Sequence, residues 1–369
     1  MNVLSLFDGS SCGQNALERA GIKVDNYFAS EVEEDPIFIA RKNHPNTVHL
    51  GDVTKWREWN LPKIDLLIGG SPCQGFSRQG IQLNFDDPRS KLFFEYVDIL
   101  HALREANPNI KFLLENVDMR TEWQNIISKY LEIVPIKINS RLLSAQNRQR
   151  TYWSNIEGVI KPVDKKINLA SLLEDVDTFD FKDIQGIKVD PTISEKSMSL
   201  ISVVNGETRI KQSVSKGYIV AEEGDGINLS FPTSKSRRGR VIKSKSSTID
   251  TACNICVYYK GAIRRFTISE MEKLQTLPVG YTEGIKDRAR MKVLGNGWTV
   301  DVIAHIFKGL KEVTEMTNKD FPQVDLFNTE IRYNDAYYVL PDGTIVDAIN
   351  VDEYFVQVLK AQMVRKGEE

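Results

Sequence analysis

One cysteine of this chain is placed where it could act as a nucleophile. Cys73 lies in the segment GGSPCQGFS, just after the apolar run at residues 64–68, and Pro72 stiffens the turn between them. The thiolate form of cysteine is strongly nucleophilic, but a lone cysteine in a protein is more often buried and inert. The residues that accompany Cys73 therefore decide whether it takes part in chemistry.

Three charged residues are predicted to act with Cys73. Glu115 ends the apolar run at residues 112–114, and a lone carboxylate is costly to bury there unless it has a partner or a function. Arg148 and Arg150 alternate in the segment QNRQR, so an extended chain would place both side chains on one face, pointing at one target. We predict that these groups converge near the thiol.

Acidic or glycine-containing segments follow three other predicted strands. Gly9 lies in the turn FDGSSCG, Glu31 comes 22 residues later, and Asp52 follows a third strand. In a parallel sheet these positions can hold the ribose and the adenine amino group of a nucleotide cofactor. The dinucleotide motif GxGxxG is absent, so the pattern favours S-adenosylmethionine over a nicotinamide dinucleotide.

Strand and helix patterns alternate through the first 157 residues. Strands are predicted at 3–7, 24–30, 64–68, 112–114 and 151–154, and helices at 14–20, 36–43 and 89–106. This rhythm predicts an α/β fold with a doubly wound, mostly parallel sheet. Residues 158–260 carry short strand-like runs and predict a smaller, mostly β domain. Thr267 and Glu270 form a candidate capping box, and a last long helix should begin near Thr299.

The composition is that of an ordered protein without a membrane segment. Of 369 residues, 41% are hydrophobic and 27% charged, and neither a signal peptide nor a bilayer-length apolar run is found. We therefore expect a cytoplasmic protein. Four scattered cysteines do not form a disulfide framework, and Cys253 and Cys256 lack two further zinc ligands nearby, so we expect no metal.

The net charge of −2 argues mildly against nucleic acid as a partner, but it hides a local exception. Residues 228–249 contain no acidic side chain, whereas they contain Lys235, Arg237, Arg238, Arg240, Lys243 and Lys245. In isolation such a stretch is usually a solvated face. Its position within the smaller predicted domain makes it a candidate surface for phosphates.

The motifs and their order resemble the DNA cytosine-5 methyltransferase family, of the prokaryotic or phage type. The resemblance covers roughly residues 1–157 and 262–312 and rests on FDG, GGSPCQGFS, ENV, QNRQR and GNGWTV in that order. The segments from FDG to LFFE also resemble the mammalian de novo enzymes. The sequence departs from the family where Ser10, Ser11 and Cys12 stand in place of further glycine.

The resemblance implies a Rossmann-like methyltransferase that moves a methyl group from S-adenosylmethionine to carbon 5 of cytosine. It implies that the Cys73 thiolate adds to carbon 6, because carbon 5 of cytosine is a poor nucleophile. By the same matching, Glu115 holds N3 and the exocyclic amine of the base, Arg150 contacts the base carbonyl, and Arg148 positions the loop or a phosphate. The implied cofactor-binding residues are Phe7, Gly9, Glu31, Val32, Asp52, Val53, Pro72, Leu92, Asn296 and Trp298.

The resemblance also implies duplex DNA as substrate, with the target base flipped out of the helix. Residues 75–90 would close over the base. The candidate DNA-binding residues are Gln74, Ser77, Arg78, Gln79, Arg237, Arg238 and Arg240. We expect a catalytic domain formed by residues 1–157 and 295–318, a target-recognition domain with a return segment at 158–294, and an extension at 319–369 without an assigned role. In that extension the sequence predicts a Pro-Asp-Gly turn at 341–343 between two strands, and a helix at 352–364.

Alternatives remain at this point. Transfer RNA cytosine methyltransferases share the motifs, and a catalytically silent relative would bind DNA without modifying it. A small-molecule methyltransferase would need neither the insert nor the arginine pair. We expect a monomeric enzyme of a prokaryotic or phage-infected cell, either paired with a restriction enzyme or working as an orphan methylase.

Overall fold

The computed structural model divides the chain into two units, Met1–Leu310 and Lys311–Glu369. The residues it describes are 1–71, 91–176, 180–251 and 254–311, together with the backbone of two short strands at 337–339 and 345–347.

The first unit is built around a seven-stranded sheet. Its strands are β1 (Asn2–Leu6), β2 (Asn26–Ser30), β3 (Val48–His49), β4 (Leu66–Gly69), β5 (Lys111–Val117), β6 (Ile136–Asn139) and β8 (Gln149–Ser154), in the spatial order β3-β2-β1-β4-β5-β8-β6. The five strands from β3 to β5 run parallel, and β8 pairs antiparallel with both β5 and β6. The predicted mostly parallel sheet is confirmed.

Helices cover both faces of this sheet. The helices of the first unit are α1 (Cys12–Ala20), α2 (Glu34–Asn43), α3 (Lys91–Ala106), α4 (Thr121–Leu131), α5 (Glu195–Met198), α6 (Ile268–Leu274), α7 (Asp287–Asn296) and α8 (Val300–Phe307). The short helix α5 packs in the core of the β-rich region and not on the central sheet. Alternation along β4 shows how the faces are divided. Leu66 and Ile68 pack in a core with α1 and α8, whereas Leu67 packs in a second core with α3 and α4. A parallel sheet needs such cover because its strands are apolar on both sides.

The helix ends follow the signals in the sequence. Gly21 takes the left-handed conformation (φ 71°) after α1, as expected of a glycine at a helix C-terminus. The predicted capping box at the start of α6 is confirmed, since Thr267 and Glu270 each accept from the other's backbone N–H. Helix α7 escaped prediction because its buried apolar side chains are only Val293 and Leu294, too few to produce a stripe.

A second group of strands follows the central sheet and has its own apolar core. The strands are β7 (Gln146–Asn147), β9 (Lys182–Ile184), β10 (Ile187–Val189), β11 (Ile201–Val204), β12 (Glu207–Lys211), β13 (Tyr218–Ala221), β14 (Gly226–Asn228), β15 (Val241–Ile242), β16 (Ser246–Ser247), β17 (Ile255–Tyr259) and β18 (Ala262–Arg265). They form a six-stranded sheet (β15-β14-β17-β18-β10-β9), a three-stranded sheet (β11-β12-β13) and the pair β16-β7. The predicted β-rich region is present, while the exact domain boundaries stay a prediction.

Short 3-10 helices complete the first unit at Val53–Glu58, Ser140–Leu142, Leu169–Leu172 and Lys308–Leu310. Within the described ranges, no helix is both long and apolar enough to cross a membrane.

In the second unit, strands β19 (Tyr337–Val339) and β20 (Ile345–Asp347) pair antiparallel. This pairing agrees with the two strands predicted on either side of a Pro-Asp-Gly turn. The turn itself and the helix predicted at 352–364 lie outside the described residues.

Candidate functional site

A cavity of about 390 Å³ opens at the carboxyl ends of β1, β2, β4 and β5. Ligands of doubly wound sheets bind at this edge, because the strand ends and the loops that follow them converge there. The predicted site residues that line it are Phe7, Gly9, Glu31, Val32, Asp52, Val53, Leu92, Glu115, Arg148, Arg150, Asn296 and Trp298. The fold therefore brings into one cavity residues that the sequence separates by almost 300 positions.

Glu31 is fixed in place by backbone donors before any ligand binds. Its Oε2 accepts from the N–H of Gly9 at 3.0 Å, and its Oε1 accepts from the N–H groups of Val32 and Glu33 at 2.7 and 2.9 Å. A carboxylate has about four acceptor positions, so one remains for a ribose hydroxyl. This arrangement also joins the turn after β1 to the end of β2.

Asp52 is a second ordered carboxylate at the cavity. Its Oδ1 accepts from the backbone N–H and the hydroxyl of Thr54, both at 2.9 Å, and so caps the 3-10 helix that follows. The hydrogen bond from the Thr54 N–H, followed by that from its hydroxyl, holds the pKa of Asp52 below its usual range. Asp52 is therefore an ionised acceptor near neutral pH.

The turn after β1 rests on a buried network that sequence reasoning missed. Asp8 accepts from the hydroxyl of Tyr27 at 2.7 Å and from that of Ser11 at 2.5 Å. Burial raises the pKa of Asp8, while the hydrogen bond from Ser11 opposes that shift. Ser11 itself adopts the left-handed conformation (φ 59°), which glycine enters more easily. Its hydroxyl donates to Asp8 and so helps to hold the residue in this conformation.

Cys12 follows this turn and also lines the cavity. It is only 4% exposed, and burial raises the pKa of its thiol. Cys12 is therefore a neutral part of the cavity wall near physiological pH.

Glu115 lies where β5 meets the cavity, and it is 8% exposed. Its Oε1 pairs with Arg150 Nε at 3.0 Å, and its Oε2 accepts from the indole N–H of Trp298 at 3.1 Å. Arg150 and Trp298 are therefore the two partners that stabilise this buried carboxylate.

Arg148 borders the same cavity but binds a different target. Its side chain is 3% exposed and donates to the carbonyls of Gly295 at 3.3 Å and Gly297 at 2.9 Å. The arginines were expected to share one target on a continuous strand. In the structure the strand pairing is interrupted between β7 and β8 at Arg148, and the two arginines line the same cavity but bind different partners.

The candidate nucleophile cannot be placed, because Pro72, Cys73, Gln74, Ser77, Arg78 and Gln79 all lie outside the described residues. The segment that leads to them does belong to the site, since Gly70 and Ser71 line the cavity. Asn116, next to Glu115 on β5, donates from Nδ2 to the hydroxyl and the carbonyl of Ser71 at 3.2 and 3.3 Å. The ENV motif therefore supports the start of the cysteine-containing segment.

The three arginines predicted to contact DNA occupy different environments. Arg240 is 1% exposed, and its guanidinium donates to the carbonyls of Asn228, Ser230 and Phe231. Its predicted role as a DNA contact is wrong, because a side chain buried in this way has no surface to offer. Arg238 is exposed, and Arg237 is partly exposed, with its guanidinium carbon 5.2 Å from the centre of the Phe231 ring.

The cysteine pair predicted to be strand residues is only partly described. Cys256 is buried in β17, and burial raises the pKa of its thiol to about 12, whereas Cys253 lies outside the described residues. In the ranges that the structure describes, no cluster of three or more metal-ligating side chains is found.

Comparison with solved structures defines the class of protein first. The fold resembles a DNA modification methyltransferase encoded within an Escherichia coli prophage, with a TM-score of 0.56 and 20% identity, covering 84% of this chain and 98% of that one. It also resembles the Entamoeba histolytica methyltransferase EhMeth, with a TM-score of 0.55 and 19% identity, covering 85% and 99% of the two chains. The fold is therefore that of a methyltransferase.

The sequence then defines the family. Residues 1–312 match the model of the C-5 cytosine-specific DNA methylases, and the chain belongs to that family. It is 28% identical over 320 residues to the type II methyltransferase M1.ScrFI of Lactococcus lactis subsp. cremoris, covering 80% of this chain and 75% of that relative. It is 34% identical over 165 residues to the orphan methyltransferase M.Rho11sI of Bacillus phage rho11s, covering 41% of this chain and 32% of that relative.

Proposed function

We propose that this protein transfers a methyl group from S-adenosylmethionine to carbon 5 of cytosine in a specific duplex DNA sequence. The observation that carries the proposal is the shared cavity. Glu115, held by Arg150 and Trp298, lines the same 390 Å³ space as the ordered carboxylates Glu31 and Asp52. A group that can hold a base and a site that can hold a nucleoside are thus adjacent.

The residues present fit the cofactor. Its ribose hydroxyls would bind Glu31, its adenine amino group would bind Asp52, and the apolar wall of Phe7, Val53 and Leu92 would contact the ring. Two acidic acceptors suit a nucleoside that carries hydroxyl and amino groups better than they suit a pyrophosphate. When bound, S-adenosylmethionine supplies an electrophilic methyl group.

The protein's own residues would make the base reactive. Cys73 forms a bond with carbon 6 of cytosine as a thiolate, and the electron pair of the broken 5,6 double bond makes carbon 5 nucleophilic. Glu115, protonated at this stage, donates its proton to N3 as charge develops there and accepts from the exocyclic amine, while Arg150 donates to the base carbonyl; N3 returns the proton to Glu115 when the ring is restored. After methylation, loss of the proton on carbon 5 expels the thiolate and restores the aromatic ring.

The partly exposed pair Phe231 and Arg237 is the best candidate for contact with DNA in the β-rich region. Phe231 is 55% exposed, and the guanidinium of Arg237 lies 5.2 Å from the centre of its ring, where the charge of Asp250 acts on it. A comparable pair, Arg209 over Tyr218 at 4.3 Å, has a carboxylate in direct contact, because Glu207 binds Arg209 at 2.7 Å. A guanidinium beside an exposed aromatic ring suits the phosphates and base edges of a duplex.

The β-rich region thus supports a target-recognition role for residues 158–294. Since cytosine ring atoms are stacked inside the duplex, the base has to be flipped into the cavity. We propose a monomeric enzyme of a prokaryotic or phage-infected cell, in keeping with the type II and orphan phage relatives.

The chemistry is tested with purified wild-type protein, Cys73→Ala and Glu115→Gln, using labelled methyl donor and either duplex DNA or transfer RNA. We expect duplex DNA to be methylated by the wild type and at least about 1,000-fold more slowly by Cys73→Ala, with unchanged affinity for S-adenosylhomocysteine. Bisulfite sequencing identifies the target. Methylation of transfer RNA alone, or full activity of Cys73→Ala, would refute the proposal.

The DNA contact is tested by comparing Arg237→Ala with Arg209→Ala. We expect Arg237→Ala to weaken binding to the target duplex by about 5- to 100-fold, as the loss of one good base or phosphate contact does. Arg209→Ala should bind like the wild type, because its charge is already neutralised. Equal affinities for the two variants would remove Arg237 from the interface.

A further inference from the structure

We propose that Trp298 is a positioning residue for Glu115, in addition to its expected place in the cofactor wall. The inference rests on the proposed function: the indole N–H orients the carboxylate of Glu115, which would bind the cytosine base. It begins from the hydrogen bond between Trp298 Nε1 and Glu115 Oε2, which joins two residues 183 positions apart in the sequence.

The two donors to Glu115 act on different oxygens. Arg150 Nε binds Oε1 at 3.0 Å, and Trp298 Nε1 binds Oε2 at 3.1 Å. One donor alone leaves the carboxylate free to rotate about its last side-chain bond, whereas two donors at opposite oxygens fix its plane. Because each oxygen has two lone pairs, the second on one oxygen can accept from the exocyclic amine of cytosine, and the second on the other can carry the proton that is donated to N3.

The structure leaves space for this hydrogen bond at Gly70. A Cβ atom added there would lie 3.0 Å from Trp298 Nε1 and 3.1 Å from Glu115 Oε2, closer than ordinary van der Waals contact to both bonded atoms. Gly70 does not have a positive φ angle, so its backbone conformation does not require glycine. The requirement at this position is room for the indole and the carboxylate.

Buried donors anchor the backbone that carries the indole. The carbonyl of Gly297 accepts from Arg148 Nη2 at 2.9 Å and from Gln275 Nε2 at 3.0 Å. On the other side of the tryptophan, the hydroxyl of Thr299 donates to Gln275 Oε1 at 2.8 Å. Arg148 and Gln275 are almost fully buried, so the neighbours of Trp298 are held on both sides. The buried Arg148 thereby contributes to the site through Trp298.

The test is Trp298→Phe, which removes the indole N–H and keeps an aromatic ring. The matched control is Trp56→Phe, because Trp56 Nε1 also donates to a glutamate, Glu95 Oε2, at 3.0 Å but does not line the cavity. We expect kcat of Trp298→Phe to fall about 10- to 100-fold, the size of effect that a small misplacement of a catalytic group produces. Affinities for S-adenosylhomocysteine and for DNA, measured by calorimetry and filter binding, should stay within about twofold on the same reasoning.

Trapping on DNA that contains 5-fluorocytosine provides a second readout. The rate of adduct formation should fall in parallel with kcat in Trp298→Phe and stay unchanged in Trp56→Phe. Gly70→Ala, which keeps the indole but crowds the hydrogen bond, should show the same pattern, and it serves as the test if Trp298→Phe does not fold.

The outcomes separate the two proposals. If Trp298→Phe keeps the wild-type kcat at saturating cofactor, or loses only cofactor affinity, Trp298 belongs to the cofactor wall alone and the inference is wrong. If the wild-type protein methylates neither DNA nor RNA, it is the proposed function that fails.

Discussion

The carboxylate of Glu115 is held by two donors from different parts of the chain, Arg150 and Trp298. The sequence indicated that a carboxylate after an apolar run needs a partner. Arg150 lay in a recognisable motif only 35 positions away, but Trp298 lies in a late segment that was assigned to the cofactor alone. The structure joins both to one carboxylate, so Trp298 lies at the boundary between the cofactor site and the base site that we propose.

Arg148 leads to a prediction about stability. Replacement by Met leaves the half-buried carbonyl of Gly295 without its guanidinium donor, while that of Gly297 keeps Gln275. We expect a loss of about 1–3 kcal/mol in the free energy of unfolding, the usual cost of a buried polar group left unsatisfied. Urea denaturation measures it. Arg141→Met, at an exposed position, is the control and should change stability little; equal stability of Arg148→Met and wild type would contradict this account.

At the scale of elements, the segment between β14 and β15 shows why basic residues in a row differ in role. Arg240 lies directly before β15 and turns inward, where it binds three carbonyls of residues 228–231. Phe231 lies in this segment with a positive φ of 51° and an exposed side chain. A strained backbone is kept only where the surrounding structure holds it, and here the Arg240 guanidinium binds the carbonyl of Phe231 itself.

Replacement of Arg240 can therefore distinguish a role in folding from a direct contact with DNA. We expect Arg240→Met to lower the free energy of unfolding by at least about 1–3 kcal/mol, because several buried carbonyls lose a donor. Affinity for DNA should fall with it, while affinity for S-adenosylhomocysteine should not. Arg238→Met removes an equal charge from an exposed position and should leave the melting temperature unchanged. A normal melting temperature for Arg240→Met would show that this guanidinium is not a structural element.

At the scale of the whole molecule, buried histidines couple stability to pH. His44 packs between α1 and α2, with Asn15 at 3.1 Å and Glu18 at 3.3 Å from its ring nitrogens. Burial lowers the pKa of His44, although Glu18 and Asp8 act in the opposite direction. Burial also lowers the pKa of His49, and Arg41 adds to that shift.

The sign of the pH dependence follows from these shifts. In the unfolded chain a histidine has a pKa of about 6.5, whereas in the folded protein its pKa is lower. Below about pH 6.5 the unfolded chain therefore binds more protons than the folded protein, and the free energy of unfolding decreases as the pH falls. We expect the melting temperature to drop between pH 7.5 and pH 5.5, and to drop less in His44→Gln. The exposed His101 gives the control His101→Gln, which should keep the full drop. An identical pH profile for His44→Gln and wild type would exclude His44 as a contributor.

Local patterns in the sequence determined the central sheet, the acidic strand ends, the capping box of α6 and the order of the catalytic motifs. These features depend on neighbours along the chain: apolar periodicity decides which face is buried, and one hydroxyl caps the helix beside it. The same reasoning placed Glu31, Asp52 and Glu115 at one edge, because parallel strands end together. It missed α4, β6 and α7, and in α7 the apolar residues are too few to form a stripe.

Tertiary structure alone decided which side chains meet across the chain. Arg237, Arg238 and Arg240 are alike in the sequence, yet one stacks on an aromatic ring, one is exposed, and one is buried among carbonyls. Similarly, nothing near Trp298 in the sequence indicates that its indole N–H reaches Glu115. Such pairings depend on how distant elements pack and on which groups that packing removes from water, and no local pattern carries this information.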